Sequence, residues 1–151
     1  MSARNALLFS VLPCLALAAG NDLLVRDPYV RLAPPNAPAT GAFMQIHNNG
    51  SSDMKLVMAK SPVARSVELH THKNENGVMK MREVPAIEIK AKRHTELKPG
   101  SFHVMLIGMT TVLKEGDLVP ITLRFNDGSE QRIEAPVRKL PMGSPQGAMN
   151  H

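Results

Sequence analysis

The chain has 151 residues, of which 43% are hydrophobic, and it carries a formal net charge of +5 at neutral pH. That length suits one domain with a single core and is short for two domains. Its basic residues are scattered, Trp is absent, and there are only one Tyr and four Phe, so the clustered charge and aromatic surface that nucleic-acid binding requires are missing. A diffuse positive surface mainly favours solubility, and it can assist encounter with an acidic partner or an anionic membrane surface.

The first twenty residues have the pattern of a cleaved secretory signal. Arg4 gives a basic start, an apolar run covers 6–19, and small residues end the segment, which predicts cleavage within 18–20. The apolar run is shorter than the ~20 residues that a membrane span needs, and Pro13 interrupts it. We therefore predict that residues 1–20 are a signal peptide and that the protein is periplasmic, with no stable membrane insertion.

The single cysteine, Cys14, lies inside this predicted signal. A lipoprotein would use Cys14 as its lipidated residue, but Pro13 stands where a small residue is wanted and apolar sequence continues beyond the cysteine. We therefore favour cleavage over lipidation, which leaves a mature chain without thiols or disulfides. Such a chain suits an oxidising compartment, because exposed thiols become disulfides there, whereas imidazole is inert and thioether is oxidised less readily.

From Tyr29 onward, short apolar or alternating runs are separated by turn residues such as Asn76-Gly77 and Asp127-Gly128, which is typical of strands and hairpins. No stretch keeps a helical period. About ten short strands at this density predict an all-β domain over 21–138, an antiparallel sandwich or barrel. The predicted strands are 29–32, 41–47, 55–59, 66–72, 78–82, 87–90, 94–97, 101–107, 118–125 and 131–137.

Four residues, His70, Met81, His103 and Met105, have the residue types and spacing of a soft metal site. Thioether sulfur is a poor ligand for hard cations and an uncommon one for Zn²⁺, which normally takes Cys, His or carboxylate. Two imidazoles with two thioethers therefore indicate Cu(I). Taken singly, each residue would more simply be a packing methionine or a surface histidine, so the joint spacing carries the interpretation.

The period of a strand determines how these four side chains can meet. His103 and Met105 are two residues apart and share one strand face, and the apolar residues between and beside them share the other. A hairpin over 73–77 would place His70 directly opposite Met81, with Cβ atoms ~5 Å apart. The same register places His72 opposite Met79, and a shift of one residue would move Met81 to the wrong face.

The spacing His-x10-Met-x21-His-x-Met resembles the signature of the periplasmic PCu(A)C copper chaperones, formerly a domain of unknown function. The resemblance covers most of the chain, through VRLAPP at 30–35, HNNG at 47–50, VELH at 67–70, GVMKMR at 77–82 and LKPG at 97–100. It implies a cupredoxin-like β-sandwich of Greek-key type that binds Cu(I). It also implies delivery of copper to the dinuclear copper centre of cytochrome c oxidase, directly or through a thiol-bearing partner chaperone.

Other methionines and histidines are weaker candidates. His72 and Met79 are near enough in sequence to act as auxiliary ligands, although packing or surface roles are the simpler interpretation. Residues 139–151 change in composition to Pro, Gly, Ser and Gln and are predicted to form a flexible tail. The tail could close over the main site, bind Cu(II) weakly or have no role, through Met142, Met149 and His151. Six further residues have no supporting pattern and are predicted to serve packing or the surface: His47, His94, Met44, Met54, Met58 and Met109.

The leading hypothesis is a monomeric Cu(I) carrier rather than an enzyme. Thiolate binds Cu(I) more strongly than thioether, so release to a cysteine-bearing acceptor is favourable. A blue-copper electron carrier needs a Cys ligand, which the mature chain lacks. A copper oxidase with an amino-terminal His ligand is disfavoured because no plausible cleavage leaves His first. Two alternatives stay open: copper buffering or tolerance through the same site, and a metal-free adhesion domain that would not bind Cu(I).

Overall fold

The computed structural model describes residues 22–140. Within that range the secondary structure consists of strands, and no helix there is long and apolar enough to cross a membrane. The all-β prediction is confirmed, whereas the predicted signal at 1–20 and the tail residues Met142, Met149 and His151 lie outside the described residues. The ten strands are β1 (Leu23–Arg31), β2 (Ala39–Asn48), β3 (Met54–Lys60), β4 (Ala64–Glu75), β5 (Val78–Glu83), β6 (Ile87–Ile89), β7 (Arg93–Leu97), β8 (His103–Met109), β9 (Leu118–Phe125) and β10 (Glu130–Arg138).

The strands form one hydrogen-bonded path in the order β5-β4-β8-β2-β1-β10-β9-β3-β6, with β7 paired to β2. The first half of β2 pairs with β8, its second half pairs with β7, and β1 lies along its other edge. Strands β3 and β4 are far apart in this order and yet contact each other, as strands in the two layers of a sandwich do. One pairing departs from the antiparallel pattern, because β1 runs parallel to β10, with Val30 opposite Val137.

The core is built by strict alternation along the strands. In β9 every second residue from Val119 to Phe125 is at most 1% exposed, and the residues between them are half-buried. The same alternation in β8 buries Val104 and Leu106 completely. Because successive side chains point to opposite faces, His103 and Met105 must lie on the face of β8 that turns away from this core.

Strand β1 begins earlier than the sequence predicts, at Leu23 instead of position 29. Its pairing with β2 shifts register between Arg26 and Tyr29, and Asp27 adopts a positive φ of 49°. A bulge of this kind disturbs the period-two alternation, and Pro28 removes a hydrogen-bond donor. Both effects hide the first half of the strand from a pattern-based prediction.

The hairpin between β4 and β5 has a much tighter turn than the predicted loop over 73–77. Only Asn76 and Gly77 lie outside the paired strands, with φ angles of 54° and 82°. Two successive positive φ angles are characteristic of the type I′ turn that Asn-Gly favours. The pairing therefore continues up to Glu75 opposite Val78.

This turn makes the predicted register wrong by two residues. Met81 lies opposite His72, and His70 lies opposite Glu83. Met79, which was predicted opposite His72, lies opposite Asn74. A shift of two residues keeps every side chain on its predicted face, whereas a shift of one would have reversed them all.

Asn48, at the end of β2, is the buried polar residue that joins neighbouring segments. It is 1% exposed, and its side-chain Nδ2 donates to the carbonyl oxygens of Ser52 at 2.8 Å and Ile89 at 3.0 Å. Its Oδ1 accepts a hydrogen bond from the backbone N–H of Gly50 at 3.0 Å. One side chain thus satisfies backbone groups on the turn after β2 and on β6.

We expect Asn48→Ala to lower the free energy of unfolding by about 2–4 kcal/mol, because it removes three hydrogen bonds and leaves buried backbone groups unpaired. Urea denaturation followed by circular dichroism measures this change. The neighbouring Asn49 is exposed, and Asn49→Ala should stay within about 0.5 kcal/mol of wild type. Equal effects of the two substitutions would contradict a special role for Asn48.

Candidate metal site

The four predicted ligands lie on one face of three adjacent strands, β5, β4 and β8. His70 is directly opposite His103, and their ring centroids are 5.7 Å apart. Met105 is two residues further along β8 from His103, and Met81 lies diagonally across from His70 on β5. Diagonal neighbours in a sheet are ~7–8 Å apart, within reach of a long side chain such as methionine.

A groove opens on this face, and we call it the donor groove. Its rim and base differ in exposure, since Met79 and Met81 are 57% and 40% exposed while His103 is 2% exposed. Soft sulfur donors therefore face solvent above a buried imidazole, an arrangement that allows a bound ion to exchange with a docking partner. The groove is lined by Arg31, Gly41, Phe43, His72, Met79, Met81, Pro99, Gly100, His103 and Met105.

The hydrogen bond of His103 leaves its second nitrogen available to a metal. Nδ1 lies 3.0 Å from the carbonyl oxygen of Ser101, and because a carbonyl only accepts, Nδ1 carries the proton and Nε2 keeps its lone pair. Burial lowers the pKa of His103, and the nearby His72 and His70 lower it further against the opposing effect of the Ser101 carbonyl. A neutral imidazole with a fixed tautomer is the form that ligates metals.

Phe43 supplies an apolar wall beside this imidazole. Its ring centroid is 6.1 Å from that of His103. A Cβ atom at Gly41, which is paired with Met105, would lie 2.9 Å from the Phe43 ring. Glycine at this position therefore leaves room for the Phe43 ring. Apolar side chains beside a metal site limit the access of water to it. The sequence prediction missed Phe43, although it lies on the same face of β2 as Gly41.

The carboxylates of Glu68 and Glu83 lie next to His70. Its Nε2 lies 2.7 Å from Oε2 of Glu68, and ligand atoms of Glu68, His70 and Glu83 all lie within 4.8 Å of one another. The hydrogen bond from His70 is the main cause that lowers the pKa of Glu68, and the hydrogen bond shared with Glu68 raises the pKa of Glu83. Glu68 thus behaves as the acceptor for both neighbours.

The consequence for His70 is a defined tautomer. When Nε2 donates its proton to Glu68, Nδ1 holds the lone pair, and this Nδ1 is buried with no hydrogen-bond partner in residues 22–140. Carboxylates commonly orient metal-binding histidines in this way. The sequence prediction did not identify Glu68, although Glu68, His70 and His72 follow one another at the strand period.

Both auxiliary candidates of the hairpin, His72 and Met79, line the donor groove. The His72 ring centroid is 5.3 Å from that of His103, closer than the ring of His70. The other two histidines within residues 22–140 are His47 and His94. They lie opposite each other on β2 and β7 and stack with ring centroids 4.8 Å apart, outside the groove. Met44 is a core residue that is 2% exposed, which agrees with its prediction as a packing residue.

The structure therefore defines the class of the protein. It is a cupredoxin-like β-domain with a groove of imidazole and thioether donors on one sheet face. The copper-bound PCuAC domain from PmoF2 has the same fold, with a TM-score of 0.68 and 22% identity over 79% of this chain and 94% of that domain. The solution structure of CuI-DR1885 from Deinococcus radiodurans is more similar in sequence. It has 34% identity and a TM-score of 0.64, and the match covers 85% of this chain and 89% of that one.

The chain belongs to the LpqE-like family, described as "Putative lipoprotein LpqE-like", whose model matches residues 23–137. Among its relatives is "Putative lipoprotein Lxx21020" of Leifsonia xyli subsp. xyli (strain CTCB07), which is 37% identical over 100 residues, or 66% of this chain. The match spans 60% of the length of that relative.

The hydrogen bond between Glu68 and His70 can be tested by comparing Glu68→Ala with Glu68→Gln. We expect Glu68→Ala to weaken copper binding by about tenfold, because loss of an orienting partner typically costs a metal site 10–100-fold. Glu68→Gln retains an oxygen acceptor and should stay within about threefold of wild type. ¹⁵N NMR of the imidazoles measures the His70 tautomer independently, and an unchanged tautomer in Glu68→Ala would contradict the positioning role.

Proposed function

We propose that this protein is a Cu(I) carrier of the metallochaperone type, with His70, Met81, His103 and Met105 as its ligands. The observation that carries the proposal is the donor groove, which is lined by three of these ligands, Met81, His103 and Met105. The fourth, His70, lies opposite His103 on the same face of the sheet. The only cysteine of the chain is Cys14, so residues 22–140 offer no thiolate to compete for the ion. The likeness to DR1885, which has been solved with CuI, supports the same conclusion.

This ligand set suits copper transport better than catalysis. Two imidazoles and two thioethers complete a four-coordinate ion and leave no open position for a substrate, whereas catalytic metal sites keep one open. The half-exposed Met81 at the rim is the ligand that an approaching partner meets first. Because thiolate is the stronger donor to Cu(I), an acceptor with cysteines would draw the ion out by ligand exchange.

We further propose that copper is delivered for assembly of the dinuclear centre of cytochrome c oxidase, directly or through a thiol-bearing partner chaperone. The alternative is periplasmic copper buffering or tolerance, which would use the same four ligands. Periplasmic export is supported by the lipoprotein descriptions of the family and of the Leifsonia relative. Cleavage within 18–20 would release the protein, lipidation of Cys14 would hold it at the membrane, and the intact mass of the exported protein separates these two outcomes.

The ligand set is tested by titrating Cu(I) into the mature protein in competition with a chromogenic chelator. We expect one tight equivalent for wild type and at least about tenfold weaker binding for Met81→Ala and for His103→Ala, since each removes one ligand. Met58→Ala is a matched control, because Met58 is 39% exposed against 40% for Met81 and lies outside the groove.

Two results of this titration would contradict the proposal. One is a wild-type protein that does not compete for Cu(I) at all. The other is a loss of affinity in Met58→Ala as large as that in Met81→Ala, which would indicate methionine binding that does not depend on position.

Delivery and buffering are separated by deleting the gene in the organism of origin. For delivery, we expect cytochrome c oxidase activity to fall under low copper while growth at high copper stays normal. Restoring the gene should recover the oxidase activity, and restoring a His103→Ala version should not. Loss of copper tolerance with normal oxidase activity would support buffering instead.

A further inference from the structure

His47 and His94 form a pair of imidazoles that does not belong to the donor groove. The two residues are far apart in sequence, and the antiparallel pairing of β2 with β7 places them directly opposite each other, with ring centroids 4.8 Å apart. His47 is half-buried and His94 is exposed. The pair is therefore open to solvent, and an ion can reach it.

A hydrogen bond leaves one nitrogen of His47 available to a ligand. Its Nε2 lies 3.2 Å from Oε1 of Gln45, and because a carboxamide oxygen only accepts, Nε2 carries the proton and Nδ1 keeps its lone pair. Gln45 is two residues before His47 and shares its face of β2. A neutral imidazole with a defined tautomer is the form that binds metal ions.

Charged residues of both neighbouring strands lie on the same face as the pair. Arg26 on β1 and Glu96 on β7 are both opposite Gln45, so a cation beside His47 has one positive and one negative neighbour. Partial burial, His94 and Arg26 all lower the pKa of His47, which keeps its imidazole neutral at neutral pH. Protonation of both rings would place like charges directly opposite each other and destabilise the sheet, whereas both neutral rings can share one metal ion.

The distance between the rings suits two ligands of one ion. An imidazole nitrogen binds Zn²⁺ at about 2.0 Å, so its ring centroid lies roughly 3.2 Å from the ion, and two ligating rings at 90–120° are roughly 4.5–5.5 Å apart. The observed distance of 4.8 Å lies in this range. The ring planes are 19° apart, so the exposed ring of His94 has to rotate about χ2, a torsion with broad preferences, to direct a nitrogen at the same point.

We propose that His47 and His94 form a second metal site, which binds a borderline divalent cation such as Zn²⁺ through one nitrogen of each ring. Imidazole is a preferred ligand of such ions, and the site has no thioether to select Cu(I). It is built from β2 and β7, whereas the ligands of the donor groove lie on β4, β5 and β8. The inference goes beyond the proposed Cu(I) function and does not depend on it.

The test is a titration of the ¹⁵N-labelled mature protein with Zn²⁺, followed through the NMR signals of each imidazole. We expect the ring signals of His47 and His94 to shift together, with Nδ1 as the coordinated nitrogen of His47. In His47→Ala, the remaining ring of His94 should bind Zn²⁺ at least about tenfold more weakly, since loss of even an orienting partner costs a metal site 10–100-fold.

A second variant keeps the test valid if His47→Ala is poorly folded by circular dichroism. His94→Thr changes an exposed position to a residue that strands favour, and it should weaken Zn²⁺ binding at His47 by the same factor. His151→Ala is the matched control, because it removes a histidine of the tail, and the signals of His47 and His94 should respond to Zn²⁺ in it as in wild type.

The proposal is overturned if Zn²⁺ shifts only the other imidazoles. It is also overturned if His94 titrates identically in wild type and His47→Ala, which would indicate adventitious binding to a single imidazole only. The Cu(I) competition titration should be unchanged in His47→Ala and His94→Thr. Failure of the Cu(I) function would have a different signature: wild type would fail to compete for Cu(I) while the joint response of His47 and His94 to Zn²⁺ persisted.

Discussion

The turn of two residues at Asn76 and Gly77 is the constraint on which the geometry of the site depends. Both residues adopt positive φ angles, and a type I′ turn of this length leaves only one register for the strands on either side. That register places Met81 beside His72, and the pairing of β4 with β8 then places His70 beside His103. A longer loop would have allowed other pairings, and a shift of one residue would have turned Met81 away from the groove.

Two groups that are not soft ligands orient the histidines of the site. The Ser101 carbonyl fixes the tautomer of His103, and Glu68 fixes that of His70. These contacts leave a different nitrogen free in each ring, Nε2 in His103 and Nδ1 in His70. Preset tautomers reduce the reorganisation that metal binding would otherwise require, as orienting partners do in metal sites generally.

The parts of this structure that the sequence predicts are those governed by the period of a strand. Alternation located ten strands and assigned His103 and Met105 to the face opposite Val104 and Leu106. It could not show where β1 begins, because a bulge and Pro28 interrupt the period. The hairpin register failed for a related reason, since the extent of a turn depends on backbone angles at Asn76 and Gly77 that the alternation does not encode.

The site was predictable as a set of residue types and much less so as a set of contacts. Spacing predicted four donors, but the contacts of Glu68, Glu83 and Phe43 depend on neighbours from other strands, which single-strand patterns do not show. The same holds for His72. Its position in the groove follows from its pairing with Met81, whereas the sequence predicted Met79 opposite His72.

The parallel pairing of β1 with β10 has a consequence for how the chain folds. Val30 pairs with Val137, so the first strand of the domain obtains its partner on that edge only from the last. Closing so long a loop costs more entropy than pairing neighbouring strands, and folds dominated by such distant contacts form slowly. During synthesis, the core cannot be completed until β10 emerges. The apolar residues of β1 would therefore remain open to chaperones until that strand has been made.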